Sequence, residues 1–198
     1  MLVANGSKKG NNMRRIIVSN YLTIDGFFAG PNGEIDWFVW DEETAEYSKE
    51  LLGSIDTILF GRVTYELMAS YWPVATPPTE DPVIIEAMNH LPKIVFSRTL
   101  EKVEWNNARL VKENIAEEVS KMKRQPGKDM VIYGSGSIVS TLTQLGLIDE
   151  YRLFVNPIVL GSGKPLFKGL KERLNLKFLN TKAFRCGVVL LHYGLETK

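Results

Sequence analysis

Met130-Val-Ile-Tyr133-Gly134-Ser135-Gly136-Ser137 is the stretch on which the reading of the fold turns. Residues 130–133 are a short apolar run with the length and composition of a buried strand. Small residues follow at once, and residues 137–145 place apolar side chains at helical spacing. The segment therefore reads as strand, tight turn and helix. Two upstream segments share this plan. Thr57-Ile-Leu-Phe60-Gly61-Arg62 and Lys93-Ile-Val-Phe96-Ser97-Arg98 each end a buried strand in a small residue, and an arginine comes next in both.

On either side of these segments, further strands are expected at residues 14–21, 108–111 and 150–160. Helices are expected at 41–52, 63–72, 82–91 and 114–123 as well as 137–145. Asp41 suits an N-cap and Gly53 a helix stop; Pro73 ends one helix and Pro82 opens the next. Residues 25–36 form a Gly/Pro/Asn loop. Residues 176–184 and 188–195 pattern as an antiparallel hairpin. Strands separated by helices need a mostly parallel sheet covered on both faces. The expected architecture is a three-layer α/β/α sandwich: a mixed, mostly parallel central sheet with a C-terminal antiparallel hairpin.

The 198 residues suit one large domain, and 44% hydrophobic with 24% charged residues is a globular balance. A formal charge of +1 argues against nucleic acid bound through bulk charge. No run of apolar residues is long enough to span a membrane. One cysteine, Cys186, and two histidines, His90 and His192, exclude an intrachain disulfide and a four-ligand Cys/His zinc site; no metal is expected. A single thiol fits a reducing compartment, so the expectation is cytoplasmic. Residues 1–12 are polar and Gly/Asn/Lys-rich and read as a disordered leader ahead of a domain at 13–198.

In open α/β sheets, ligands sit beyond the carboxyl ends of the strands. A helix opening at Ser137 offers unpaired N–H groups and the positive end of its dipole to a phosphate. Arg62 and Arg98 can bind phosphate oxygens bidentately. Phosphates at separated points suit a dinucleotide, and two arginines suit NADPH better than NADH. The full Gly-x-Gly-x-x-Gly fails, because Val139 stands at the third glycine. An ordinary Rossmann fingerprint is therefore not present.

Four segments now stand in one order: residues 20–30 with Asp25-Gly26, 58–66 with Gly61-Arg62-Val-Thr64, 94–98 with Ser97-Arg98, and 131–137 with Gly134-Ser-Gly136-Ser. This order resembles that of dihydrofolate reductases. Together with Asn156-Pro157 and Gly161-Ser-Gly163-Lys-Pro165 it resembles still more the reductase domain of the riboflavin-biosynthesis deaminase-reductase and its stand-alone relatives. The likeness spans about residues 13–196. It implies a single NADPH-dependent reductase domain in which Gly61, Arg62 and Thr64 bind cofactor phosphates. It implies that Ser97 and Arg98 meet the adenosine 2′-phosphate, and that Gly134, Ser135, Gly136, Ser137 and Ile138 cradle the pyrophosphate. The loop 25–36 would be a lid over the nicotinamide. Relatives are commonly dimeric, which implies a homodimer, with residues 151–160 and the closing hairpin as the candidate surface.

Hydride transfer leaves the protein at most one proton to supply. By resemblance, a carboxylate five residues past a loop tryptophan fixes the substrate. Trp37 then points to Glu42, with Asp41 and Asp36 as further candidates. Against this, Asp41 serves equally as an N-cap, with Glu42 a favourable first-turn charge. Asp25, Phe28 and Trp37 are candidate substrate contacts, although Asp25 can instead order the loop through its own backbone. Phe38 and Trp72 are expected in packing, and Cys186 in a structural role. The expected reaction is reduction of a small heterocycle (pterin- or pyrimidine-like) or a carbonyl compound. A non-catalytic nucleotide-binding module is the alternative.

Overall fold

The computed structural model describes residues 13–196; the expected leader at 1–12 lies outside the described residues. The chain runs β1 (Ile16–Thr23), β2 (Phe27–Ala29), α1 (Glu42–Ser54), β3 (Ile55–Gly61), α2 (Arg62–Tyr71), α3 (Pro82–His90), β4 (Lys93–Phe96) and β5 (Ala108–Val111). It continues through α4 (Ile115–Arg124), β6 (Asp129–Tyr133), α5 (Gly136–Gln144), β7 (Glu150–Asn156), β8 (Lys164–Pro165), β9 (Leu176–Ala183) and β10 (Val189–Leu195). A 3-10 turn, Trp72–Val74, links α2 to α3.

Eight strands form one sheet in the order β5-β4-β3-β6-β1-β7-β10-β9. The pairings from β5 to β7 are parallel, and β10 is antiparallel to both β7 and β9. The mixed, mostly parallel sheet and its terminal hairpin follow the sequence expectation. Alternating side chains feed two cores, as strand geometry requires. Ile16, Val18, Met130 and Ile132 point to the face covered by α4 and α5. Ile17, Val131, Ile58 and Phe60 point to the face covered by α1, α2 and α3. Because strands of this kind are buried on both faces, they show no polar alternation in sequence.

Three boundaries depart from expectation. The 150–160 strand stops at Asn156, whose fully buried amide donates to Leu22 O and Phe154 O and whose Oδ1 accepts from Val39 N. β7 also lies between β1 and β10, with Tyr151 fully buried, and β9 is the sheet's edge on that side. Gly53 does not stop α1, which runs on to Ser54 and passes directly into β3. The loop at 25–36 contains a short strand, β2, which pairs with β8.

Chain order explains where a ligand can enter. From β1 the chain moves out through β3, β4 and β5, then returns to insert β6 between β3 and β1. The direction of sheet growth reverses at β6, and the carboxyl ends of β1, β3 and β6 lie side by side. Such a reversal opens a crevice in doubly wound sheets.

Lys93 is a buried exception in this apolar frame. Its Nζ donates to Asn89 O at 3.0 Å, Leu91 O at 2.7 Å and Asn106 O at 3.2 Å, and lies 4.4 Å from the Trp105 ring centroid. The ammonium thereby ties α3 to the β4–β5 connection. Lys93→Met leaves those carbonyls without a donor, which should lower unfolding free energy by about 1–3 kcal/mol. Urea unfolding followed by circular dichroism measures this; an unchanged midpoint would refute the tie.

Candidate functional site

One hydroxyl ties the end of β3 and the start of α2 to the turn after β6. Ser135 Oγ accepts from Gly61 N at 2.7 Å and donates to Thr64 Oγ1 at 2.9 Å, while Ser135 N also donates to Thr64 Oγ1. Asn20 Oδ1 accepts from Gly134 N at 2.6 Å. The ends of β1, β3 and β6 and the first turn of α2 are thus locked together. The turn needs left-handed backbone at two successive residues, Gly134 at φ +59° and Ser135 at φ +56°. Gly134 has a second requirement: a Cβ there would lie 2.7 Å from Thr64 Oγ1. Ser135 accepts an unfavourable conformation because its N–H and hydroxyl are both satisfied in it.

These bonds divide the turn into committed and free donors. The N–H groups of Gly61, Gly134 and Ser135 are used by the protein. Those of Gly136 and Ser137, at the start of the nine-residue α5, have no partner among the described residues. Two free donors at the positive end of a helix make a site for one anionic group.

The turn forms one wall of a cavity of about 1190 Å³. Gly61, Arg62, Thr64, Ser97, Gly134, Ser135, Gly136 and Ser137, eight of the residues singled out in the sequence, line it together. Two others do not. Ile138 is buried beneath Gly61, where its Cγ1 would lie 3.0 Å from a Cβ. Arg98 is exposed, one residue beyond the lining Ser97. Arg62 reaches the cavity and pairs with Glu66 at 3.0 Å. The remaining cations of the wall, Lys164 and Lys168, lie on and after β8.

The carboxylates expected to do chemistry lie elsewhere. Asp41 is the N-cap of α1: its Oδ1 accepts from Thr44 N at 2.9 Å, and Thr44 Oγ1 accepts from Asp41 N in return. The Thr44 amide holds the Asp41 carboxyl below its usual range. Glu42 is exposed in the first turn and Asp36 is exposed on the loop. None of the three lines the cavity. Asp25 is likewise structural. The Thr23 hydroxyl and the N–H groups of Gly161 and Leu160 keep its carboxyl low, and it fastens the β2 loop to the segment leading to β8.

Phe28 lines the cavity as expected, but Trp37 does not; its Nε1 donates to Glu34 O. Phe38, Trp40 and Trp72 line the cavity instead. Phe38 stacks on Tyr21 at 4.9 Å, and Tyr21 stacks on Phe154 at 4.8 Å. Ser19 and Tyr133, neighbours across the β1–β6 ladder, line the floor. Burial pushes the Tyr133 phenol up, with Arg152 pulling back. Sequence reasoning missed Ser19, Asn20, Tyr133, Lys164 and Lys168. The polar pair Ser19-Asn20 inside an otherwise apolar strand was the available signal for the first two.

Comparison with known proteins gives a consistent family and fold. The profile of the RibD C-terminal domain matches residues 14–190. Bacillus subtilis YyaP, itself uncharacterized, is 43% identical over 180 residues, 91% of this chain and 94% of that protein. A pyrimidine reductase-like protein from Corynebacterium diphtheriae shares the fold at TM-score 0.66 and 16% identity, covering 94% of each chain. The dihydrofolate reductase of Enterococcus faecalis, solved with NADP(H), shares it at TM-score 0.61 and 14% identity, covering 92% of this chain and 97% of the other.

Two stability changes follow from the geometry. Ser135→Ala leaves the buried Gly61 N–H without an acceptor and should cost about 1–3 kcal/mol in urea unfolding; wild-type stability would contradict the tie. Asp41→Ala should lower the melting temperature at neutral pH. A carboxyl lowered by folding contributes above its unfolded pKa and loses that contribution on acidification. The difference between Asp41→Ala and wild type should therefore shrink as pH falls through the carboxylate range, and a constant difference would contradict the capping role.

Proposed function

The chain belongs to the RibD C-terminal domain family, and from that premise we propose that it is an NADPH-dependent reductase of a small heterocyclic or carbonyl substrate. The observation that carries this reading is the pair of free donors, Gly136 N and Ser137 N, at the base of a large cavity. A volume of about 1190 Å³ exceeds the usual single-ligand pocket of roughly 300–1,000 Å³ and leaves room for a dinucleotide beside a second molecule.

The residues present fit the cofactor. Gly136 approaches the cavity without a side chain, and a Cβ there would collide with Phe28 at 2.9 Å. Gly136 N and Ser137 N would hold the pyrophosphate, and Arg62 a neighbouring phosphate oxygen. Arg98 makes no ion pair among the described residues and would serve the 2′-phosphate from beside Ser97. Bound there, the nicotinamide supplies a hydride. The chain's own residues orient and enclose: β2, stapled to β8 and by Asp25 to Gly161, closes one side of the site against water.

This assignment gives Gly134, Ser135 and Thr64 a supporting part. Their polar groups shape the turn, and Gly136, Ser137 and the arginines bind. Titration of NADPH by fluorescence tests it. Each charge-assisted phosphate contact is worth about 1.5–3 kcal/mol, so Arg62→Ala and Arg98→Ala should each weaken binding by roughly 10- to 100-fold. Equal affinities in wild type and both variants would reject the assignment; tight binding without turnover of any substrate would favour a nucleotide-binding module.

A further inference from the structure

The wall opposite the turn differs in chemistry from everything around α5. The part built by α1, by α2 after its first residue Arg62, by the Trp72 turn and by α3 presents Leu67, Met68, Trp72 and Ile84 to the cavity. Among the described lining residues it carries no basic side chain and one acidic side chain, Glu80, whose carboxylate accepts from Tyr71 Oη. α2 contributes this surface through Val63, Leu67 and Tyr71, spaced four residues apart and all exposed. Exposed apolar residues in a stripe along a cavity rim are a recognition surface.

A pterin or an aminopyrimidine wants a carboxylate to meet its N–H groups, and a sugar phosphate wants cations. This wall's one carboxylate, Glu80, is already engaged by Tyr71 Oη, and the cation of α2 is confined to Arg62 at the helix start. The cations of the cavity, Arg62, Lys164 and Lys168, lie at the α5 side and along β8. The polar groups on the floor are hydroxyls. Ser19 and Tyr133 sit side by side in register, and neither hydroxyl has a hydrogen-bond partner among the described residues. An unpaired hydroxyl facing an apolar chamber suits one acceptor, such as a carbonyl oxygen.

We propose that this half of the cavity binds a neutral, mainly apolar aryl carbonyl compound, with Tyr133 Oη donating a hydrogen bond to the carbonyl oxygen and the α2 stripe covering the ring. A phenol is protonated and able to donate through the neutral range, and burial moves its pKa further up. The proposal rests on the reductase reading for its chemistry, but its recognition can be measured without cofactor.

Isothermal titration calorimetry on the full chain, free of nucleotide, decides it. The probes are 2-acetylnaphthalene, its 6-carboxylate analogue, 2-ethylnaphthalene and dihydrofolate. The neutral ketone should bind at least about tenfold more tightly than the carboxylate analogue and dihydrofolate, because an unpaired charge on an apolar wall is heavily penalised. Tyr133→Phe should weaken ketone binding by about five- to tenfold while leaving 2-ethylnaphthalene, which lacks the oxygen, unchanged. Leu67→Glu, at an exposed helix position, should weaken both neutral ligands. Binding of the carboxylate or dihydrofolate as tight as the ketone would overturn the proposal. So would equal losses for ketone and hydrocarbon in Tyr133→Phe, or no binding of the neutral probes. NADPH affinity, measured separately by fluorescence, reports on the cofactor reading: its failure beside intact ketone binding would remove the reductase and leave the recognition standing.

Discussion

The hydroxyl of Ser135 is the point on which the arrangement depends. It takes the N–H that ends β3 and gives its proton to the first turn of α2, while its own N–H returns to Thr64. Without these bonds, the buried Gly61 N–H would be orphaned and the left-handed Ser135 would have nothing to offset its strain. With them, the ends of β3 and β6 are held together, and the first residues of α5 line the cavity. The site is rigid because its supporting donors are spent within it.

The same economy separates structure from binding. Gly61 and the four turn residues 134–137 together have five N–H groups that a reading of the sequence would offer to a phosphate. The protein uses three, at Gly61, Gly134 and Ser135, and leaves two. A similar division holds for the carboxylates. Asp25 and Asp41 hold a loop and cap a helix, so both are ionised and occupied. Their distance from the cavity leaves its interior lined by hydroxyls, aromatic rings and aliphatic chains, with charge confined to the rim near α5 and β8 and to Glu80.

Much of the fold was legible because its signals are local. β4 and β5 have the bounds expected from sequence, and α3 starts at its proline. The strand–turn–helix at 130–145 was legible because only small residues permit that backbone. What sequence could not supply was pairing in three dimensions. Nothing in the sequence tells that Asn20 meets Gly134, or that the exposed Val63, Leu67 and Tyr71 line the rim of a cavity. Glu42 follows Trp37 at the spacing that resemblance implied, yet it is exposed in the first turn of α1 and does not line the cavity. The strand expected to reach residue 160 failed because a single buried amide, Asn156, terminates the ladder with side-chain bonds that periodicity does not register.

Amide shifts of the protein on addition of NADPH, followed residue by residue in nitrogen–proton correlation spectra, test the central division most directly. The account predicts large downfield shifts at Gly136 and Ser137, whose N–H groups gain an anionic acceptor, and small ones at Gly61, Gly134 and Ser135, whose bonds are already made. The reverse pattern, with Gly134 and Ser135 responding and Gly136 and Ser137 silent, would contradict it.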